Sequence, residues 1–95
     1  MIDLSRLRAL HAVATYGSVG AAAEVLGYTP SAVSQQLAKL ERETRTTLVE
    51  RRGRGIALTD AAWQLAATAE RVLELVEQAE LTLEEQRGQA VGELV

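Results

Sequence analysis

Between Ser18 and Arg42 the chain carries two short helical patterns separated only by Gly27 and Tyr28, each opened by a hydroxyl residue. Ser18 is a good N-cap for a helix from Val19 to Leu26, because its oxygen can accept from an amide that a helix start leaves unpaired. Gly27 suits the position after that helix, where positive φ is needed. Thr29 caps the next helix and Pro30 takes its first position, where a missing N–H costs nothing. This later helix runs to about Glu43 and sets Val33, Leu37 and Leu40 on one face at i, i+4, i+7. Ser31, Ser34 and Gln35 lie on the opposite face, a polar stripe that packing does not require. A short helix, a tight turn and a second helix with an exposed hydrogen-bonding face is the arrangement that inserts a helix into a DNA major groove.

The flanks fit a small domain built around this pair. Leu4, Leu7, Leu10, His11, Val13 and Ala14 recur at helical spacing, giving a first helix from about Asp3 to Tyr16 that Gly17 stops. Thr44, Thr46, Thr47 and Val49 favour extended structure, Arg51 to Gly55 is basic and turn-like, and Ile56-Ala57-Leu58 reads as a returning strand. Two strands on a basic glycine turn make a wing. Thr59 with Asp60 then caps a long helix to about Arg87, where Gly88 and Gly92 are expected to break it. The fold class is therefore mainly α: a winged helix-turn-helix of three helices and a two-stranded wing, followed by a long helix.

Along that last helix Ala62, Leu65, Ala69, Val72, Val76, Ala79 and Leu83 alternate at spacings of three and four, a heptad seam. About 28 residues span roughly 42 Å, more than the preceding domain can cover. A chain this small cannot bury such a seam alone, so the helix is read as a dimerisation element through Leu65, Ala69, Val72, Val76, Ala79 and Leu83.

Composition narrows the function. The net charge of -3 hides an asymmetry. Residues 1–59 hold eight Lys/Arg against five acids, +3, and residues 60–95 hold two Arg against eight acids, -6. Only the first part suits phosphate. With no cysteine, disulfides and thiolate metal sites are excluded, in keeping with a reducing, cytoplasmic setting. No apolar run reaches membrane-spanning length, and no metal or other cofactor is expected. His11, the one histidine, falls on an apolar helical face where it should pack in the core. No catalytic constellation is present, so the chain is not expected to be an enzyme.

The candidate contacts follow from these elements. Helix N-termini at Ser18 and at Thr29–Pro30 offer free amides to phosphates. Ser31, Ser34 and Gln35 can reach base edges, and Gln35 has the paired donor and acceptor that read adenine. Gln36 is expected to hydrogen-bond the second helix instead. Arg51, Arg52 and Arg54 cluster on the glycine turn, where they can meet a groove or backbone, although Arg51 could instead be tied to Glu50 or to the domain surface.

The ordered set Leu7-x-x-Leu10, Gly17-Ser18, Ala22-Ala23-x-x-Leu26, Thr29 to Leu37, Leu40-Glu41, Leu48-x-x-Arg51 and Leu58-Thr59 resembles the N-terminal region of LysR-type transcriptional regulators of bacteria. The resemblance implies a winged helix-turn-helix domain over residues 1–59 and a linker helix over 60–88 that pairs with that of a second subunit. It also implies an effector-binding domain of periplasmic-binding-protein type, of which residues 89–95 would be the start. DNA contacts would fall on Ser18, Thr29, Pro30, Ser31, Ser34, Gln35, Arg51 and Arg54. The partners implied are double-stranded DNA and a second copy of the chain, with room for a tetramer in the full-length protein. A small-molecule effector would act only through the absent domain. The departures are that Thr44-Arg45 replaces the usual Leu-Gly after the third helix, so Arg45 is expected either to adopt strained geometry or to extend the helix, that Val49 stands for a common Phe and Ala62 for a frequent Gly, and that Gln35 stands where many relatives have Arg. The alternative is a protein-interaction winged helix that dimerises through its acidic helix without binding DNA.

Overall fold

The computed structural model describes residues 1–94, and side chains as far as Gly88. Four helices and one hairpin follow in the order α1 (Leu4–Tyr16), α2 (Val19–Leu26), α3 (Pro30–Thr44), β1 (Val49–Arg52), β2 (Gly55–Leu58) and α4 (Asp60–Leu94). Side chains set the helix starts. Asp3 accepts from the Ser5 amide, Ser18 from Ala21 and Thr29 from Ala32, each replacing a bond that the first helical turn cannot supply. Gly17 (φ 87) and Gly27 (φ 72) end α1 and α2 in the left-handed conformation, as glycine does most readily.

The end of α3 does not have that help. Arg45 caps it at φ 52 and ψ 41, the one non-glycine residue with positive φ among the described residues. Of the two outcomes expected for this position, strained geometry is the one adopted. The cost is about 1–2 kcal/mol relative to an ordinary backbone conformation.

The core lies where α1, α2, α3 and the first turns of α4 meet. Leu10, Val13, Ala22, Ala23, Val33, Leu37, Leu40, Leu48, Ala62 and Ala66 are all buried together. Each large aliphatic among them contributes about 1.5–3 kcal/mol by leaving water. The apolar face expected for α3, Val33, Leu37 and Leu40, is the face that is buried.

Three boundaries differ from expectation. Thr44 belongs to α3, its hydroxyl donating back to the Leu40 carbonyl at 2.8 Å, so the extended stretch begins only at Val49. Arg51 and Arg52 belong to β1 rather than to the turn: the register pairs Val49 with Leu58 and Arg52 with Gly55, leaving only Gly53 and Arg54 between the strands. Gly53 (φ 56) supplies the left-handed first position of that two-residue turn. Finally, α4 does not break at Gly88 but continues to Leu94. Glycine costs a helix only about 1 kcal/mol, too little to stop one by itself. The expected start of a further domain at 89–95 lies outside the residues whose side chains are described.

Candidate nucleic-acid interface

The two capped helix starts form the base of the site. Ser18 Oγ accepts from the Ala21 amide at 3.0 Å, and Thr29 Oγ1 accepts from Ala32 at 3.1 Å. Capping uses each hydroxyl as an acceptor and leaves its own hydrogen free to donate. The amides of Val19, Gly20 and Ser31 precede the first intrahelical bonds, which run from Ala22 to the Ser18 carbonyl and from Val33 to the Thr29 carbonyl. Such amides, at the positive end of the helix dipole, favour an anion.

Because Val33, Leu37 and Leu40 fix the inward side of α3, the outward side exposes Ser31, Ser34 and Gln35 next to exposed Thr29 and Pro30. The hairpin then folds back toward this end of the domain. Ser18, Gly20, Ser34, Arg54 and Ile56 line one cleft of about 400 Å³, so three expected contact residues from α2, α3 and the wing converge there. Arg51 stands apart in β1, opposite Ile56 and exposed. It makes no ion pair with Glu50; among the described residues the one ion pair is Arg6 with Glu43.

That pair belongs to a network the sequence did not disclose. Arg6 Nη1 lies 2.8 Å from Glu43 Oε2, and Arg6 Nε donates to Gln36 Oε1 at 3.3 Å. One guanidinium thus spans two turns of α3 from α1. Gln36 is therefore tied to α1, not to α2 as expected: the fork of Arg6 offers its carbonyl a charged donor. The other Glu43 oxygen is buried with no partner of its own. Glu41 performs a second tie, accepting from the Leu48 and Val49 amides at 2.9 and 3.2 Å and so fastening the base of the wing to α3. The only sequence signal for the first network was opposite charges on separate helices, which is too common to read. His11 is corrected as well, since it sits partly exposed where α1 meets α4, beside Trp63 and Glu70, rather than in the core.

The residues expected to dimerise divide into two sets. Ala69 is fully buried in its own domain and Leu65 packs partly against the core, so α4 uses its first turns at home. Val72 and Val76 are half-buried, and Ala79 and Leu83 are exposed. Leu75, Leu81 and Leu83 are 64%, 51% and 59% exposed, an apolar length of helix that nothing among the described residues covers. Among the described residues no three side chains could hold a metal ion, and no helix is long and apolar enough to cross a membrane.

Comparison with known proteins agrees with this geometry. Residues 4–63 match the model of the bacterial regulatory helix-turn-helix proteins of the lysR family. The iron-regulated virulence regulatory protein IrgB of Vibrio cholerae is 37% identical over 94 residues, 99% of this chain and 32% of the relative. The HTH-type transcriptional regulator YofA of Bacillus velezensis is 40% identical over 79 residues, 83% of this chain and 27% of the relative. The chain thus spans about a third of the length of these curated relatives. Among solved structures, the CbnR DNA-binding domain in complex with DNA superposes with a TM-score of 0.78 at 32% identity, covering 93% of this chain and 98% of that one. The BenM domain on its benA site 1 DNA gives 0.79 at 28%, covering 87% and 93%.

Proposed function

Because the chain belongs to the lysR family of bacterial regulatory helix-turn-helix proteins, we propose that it is the DNA-binding part of a sequence-specific transcriptional regulator. In this reading α3 enters the major groove with Ser31, Ser34 and Gln35 at base edges. The starts of α2 and α3, through Ser18, Thr29 and the neighbouring amides, grip phosphates on either side, and Arg51 and Arg54 of the wing meet the adjoining backbone or groove. A second copy joins through α4 beyond Ala69, giving two recognition helices for a dyad site. An effector would act through parts of the regulator beyond this chain.

The observation that carries the reading is the convergence of Ser18, Ser34 and Arg54 on one cleft beside the exposed start of α3. Their side chains are donors or can be, and no carboxylate lines the cleft. The reading of a winged helix that pairs without DNA is not favoured, because it gives this constellation nothing to hold. The test is binding to duplex DNA across a salt series. Phosphate contacts release counterions, so affinity should fall steeply as salt rises, and a selected duplex should outcompete a mixed-sequence one. Absence of salt-dependent binding would refute the proposal.

A further inference from the structure

A basic surface at the far end of α3 has no role in the site described above. At about 100° per residue, Ser31, Gln35, Lys39 and Arg42 fall within one arc of about 80°, so the stripe that carries Gln35 continues into two cations. Arg42 and Arg45 then line a polar cleft of about 420 Å³ with Thr46 and Thr47. Lys39, Arg42 and Arg45 are all exposed, and none has a carboxylate partner among the described residues. Glu41, the one acid lining the cleft, is already engaged by the Leu48 and Val49 amides.

A cation in the last turn of a helix also interacts well with its dipole, which would account for Arg42 on grounds of stability alone. It does not account for Arg45. That residue holds a left-handed backbone at φ 52, where glycine would serve the fold better, and among the described residues its side chain makes no ion pair or hydrogen bond that repays the strain. We propose that Arg42 and Arg45, assisted by Lys39, form a second phosphate-binding surface that extends the DNA footprint beyond the groove read by Gln35. The spacing suits this role. Arg42 lies seven residues beyond Gln35, about 10 Å along the axis, and a major groove is about 12 Å wide. With Gln35 at base edges, the end of α3 arrives at the phosphates bordering the groove.

The inference rests on DNA binding by α3, and the experiment separates the two. Wild type, Arg45→Gly, Arg45→Lys and Arg42→Gln are titrated over a salt series with a mixed-sequence duplex and with the tightest duplex selected from a random library. Thermal melts are recorded on the same samples. Arg45→Gly relieves the backbone while removing the charge, so its Tm should rise by a few degrees as its affinity for both duplexes falls roughly three- to tenfold, with the salt slope reduced by about one. Arg42→Gln should lose similar affinity, and Arg45→Lys should keep most of it. Opposite signs on stability and affinity cannot come from damage to the fold. If wild type binds with a steep salt slope and neither neutral variant changes it, the second surface is overturned while the main reading stands. If wild type shows no salt-dependent binding, both fall.

Discussion

Gln35 is exposed on a helix whose inner face is fixed by three fully packed aliphatics, so its substitution should leave the fold alone. Gln35→Ala is expected to cost about 1–3 kcal/mol on the preferred duplex and to relax preference at one position per half-site, with mixed-sequence DNA bound almost as before. Equal loss on both duplexes, or a lowered Tm, would make Gln35 a positioning residue instead. Arg6→Ala should behave in the opposite way. It strands the partly buried Glu43 carboxylate and frees Gln36, so thermal or urea unfolding should show a loss of about 1–3 kcal/mol. Full stability in this variant would mean that the clamp contributes nothing. The contrast shows which residues were legible. Caps, glycine turns and the outward face of α3 depend on neighbours a few positions away, so spacing revealed them. The Arg6 bonds join positions 30 and more residues apart, and only the folded chain brings them together.

Among the elements, the wing joins α3 through Glu41, while its tip extends into solvent. Arg51→Ala or Arg54→Ala should weaken selected and mixed-sequence duplexes alike and lower the salt slope by about one for each phosphate left without its cation. Slopes unchanged in both variants would leave the wing arginines as solvated side chains. The existence of the hairpin was readable from its glycines and β-branched residues, but its limits were not. Thr44 and Thr46 favour strands by composition, yet Thr44 completes α3 through a bond to Leu40. Tertiary packing of Leu48 and the Glu41 tie place the first strand residue at Val49. Local preference is weak beside such constraints.

At the scale of the whole molecule, the charge division matches the architecture: the basic excess belongs to the winged domain and the acids to α4. The seam on α4 was legible as a period but not as a boundary, because the same alanines and leucines serve a core or a partner equally well. Only the packing of α1 onto α4 shows that Ala62, Ala66 and Ala69 belong to the domain and that the apolar stripe is only partly covered at Val72 and Val76 and exposed from Ala79 onward. Val72→Glu or Val76→Glu should therefore shift sedimentation from dimer towards monomer, since each would bury a charge in the pairing seam. A wild-type chain that sediments as a monomer even when concentrated would exclude pairing through α4. A helix anchored at one end also acts as a lever arm. From Ala69 to Leu94 it spans about 38 Å, so a tilt of about 10° at the anchor carries the tip through roughly 6–7 Å. In a pair joined along that arm, the small alanines against α1 would set the distance between the two recognition helices, and with it the spacing of the half-sites they can span.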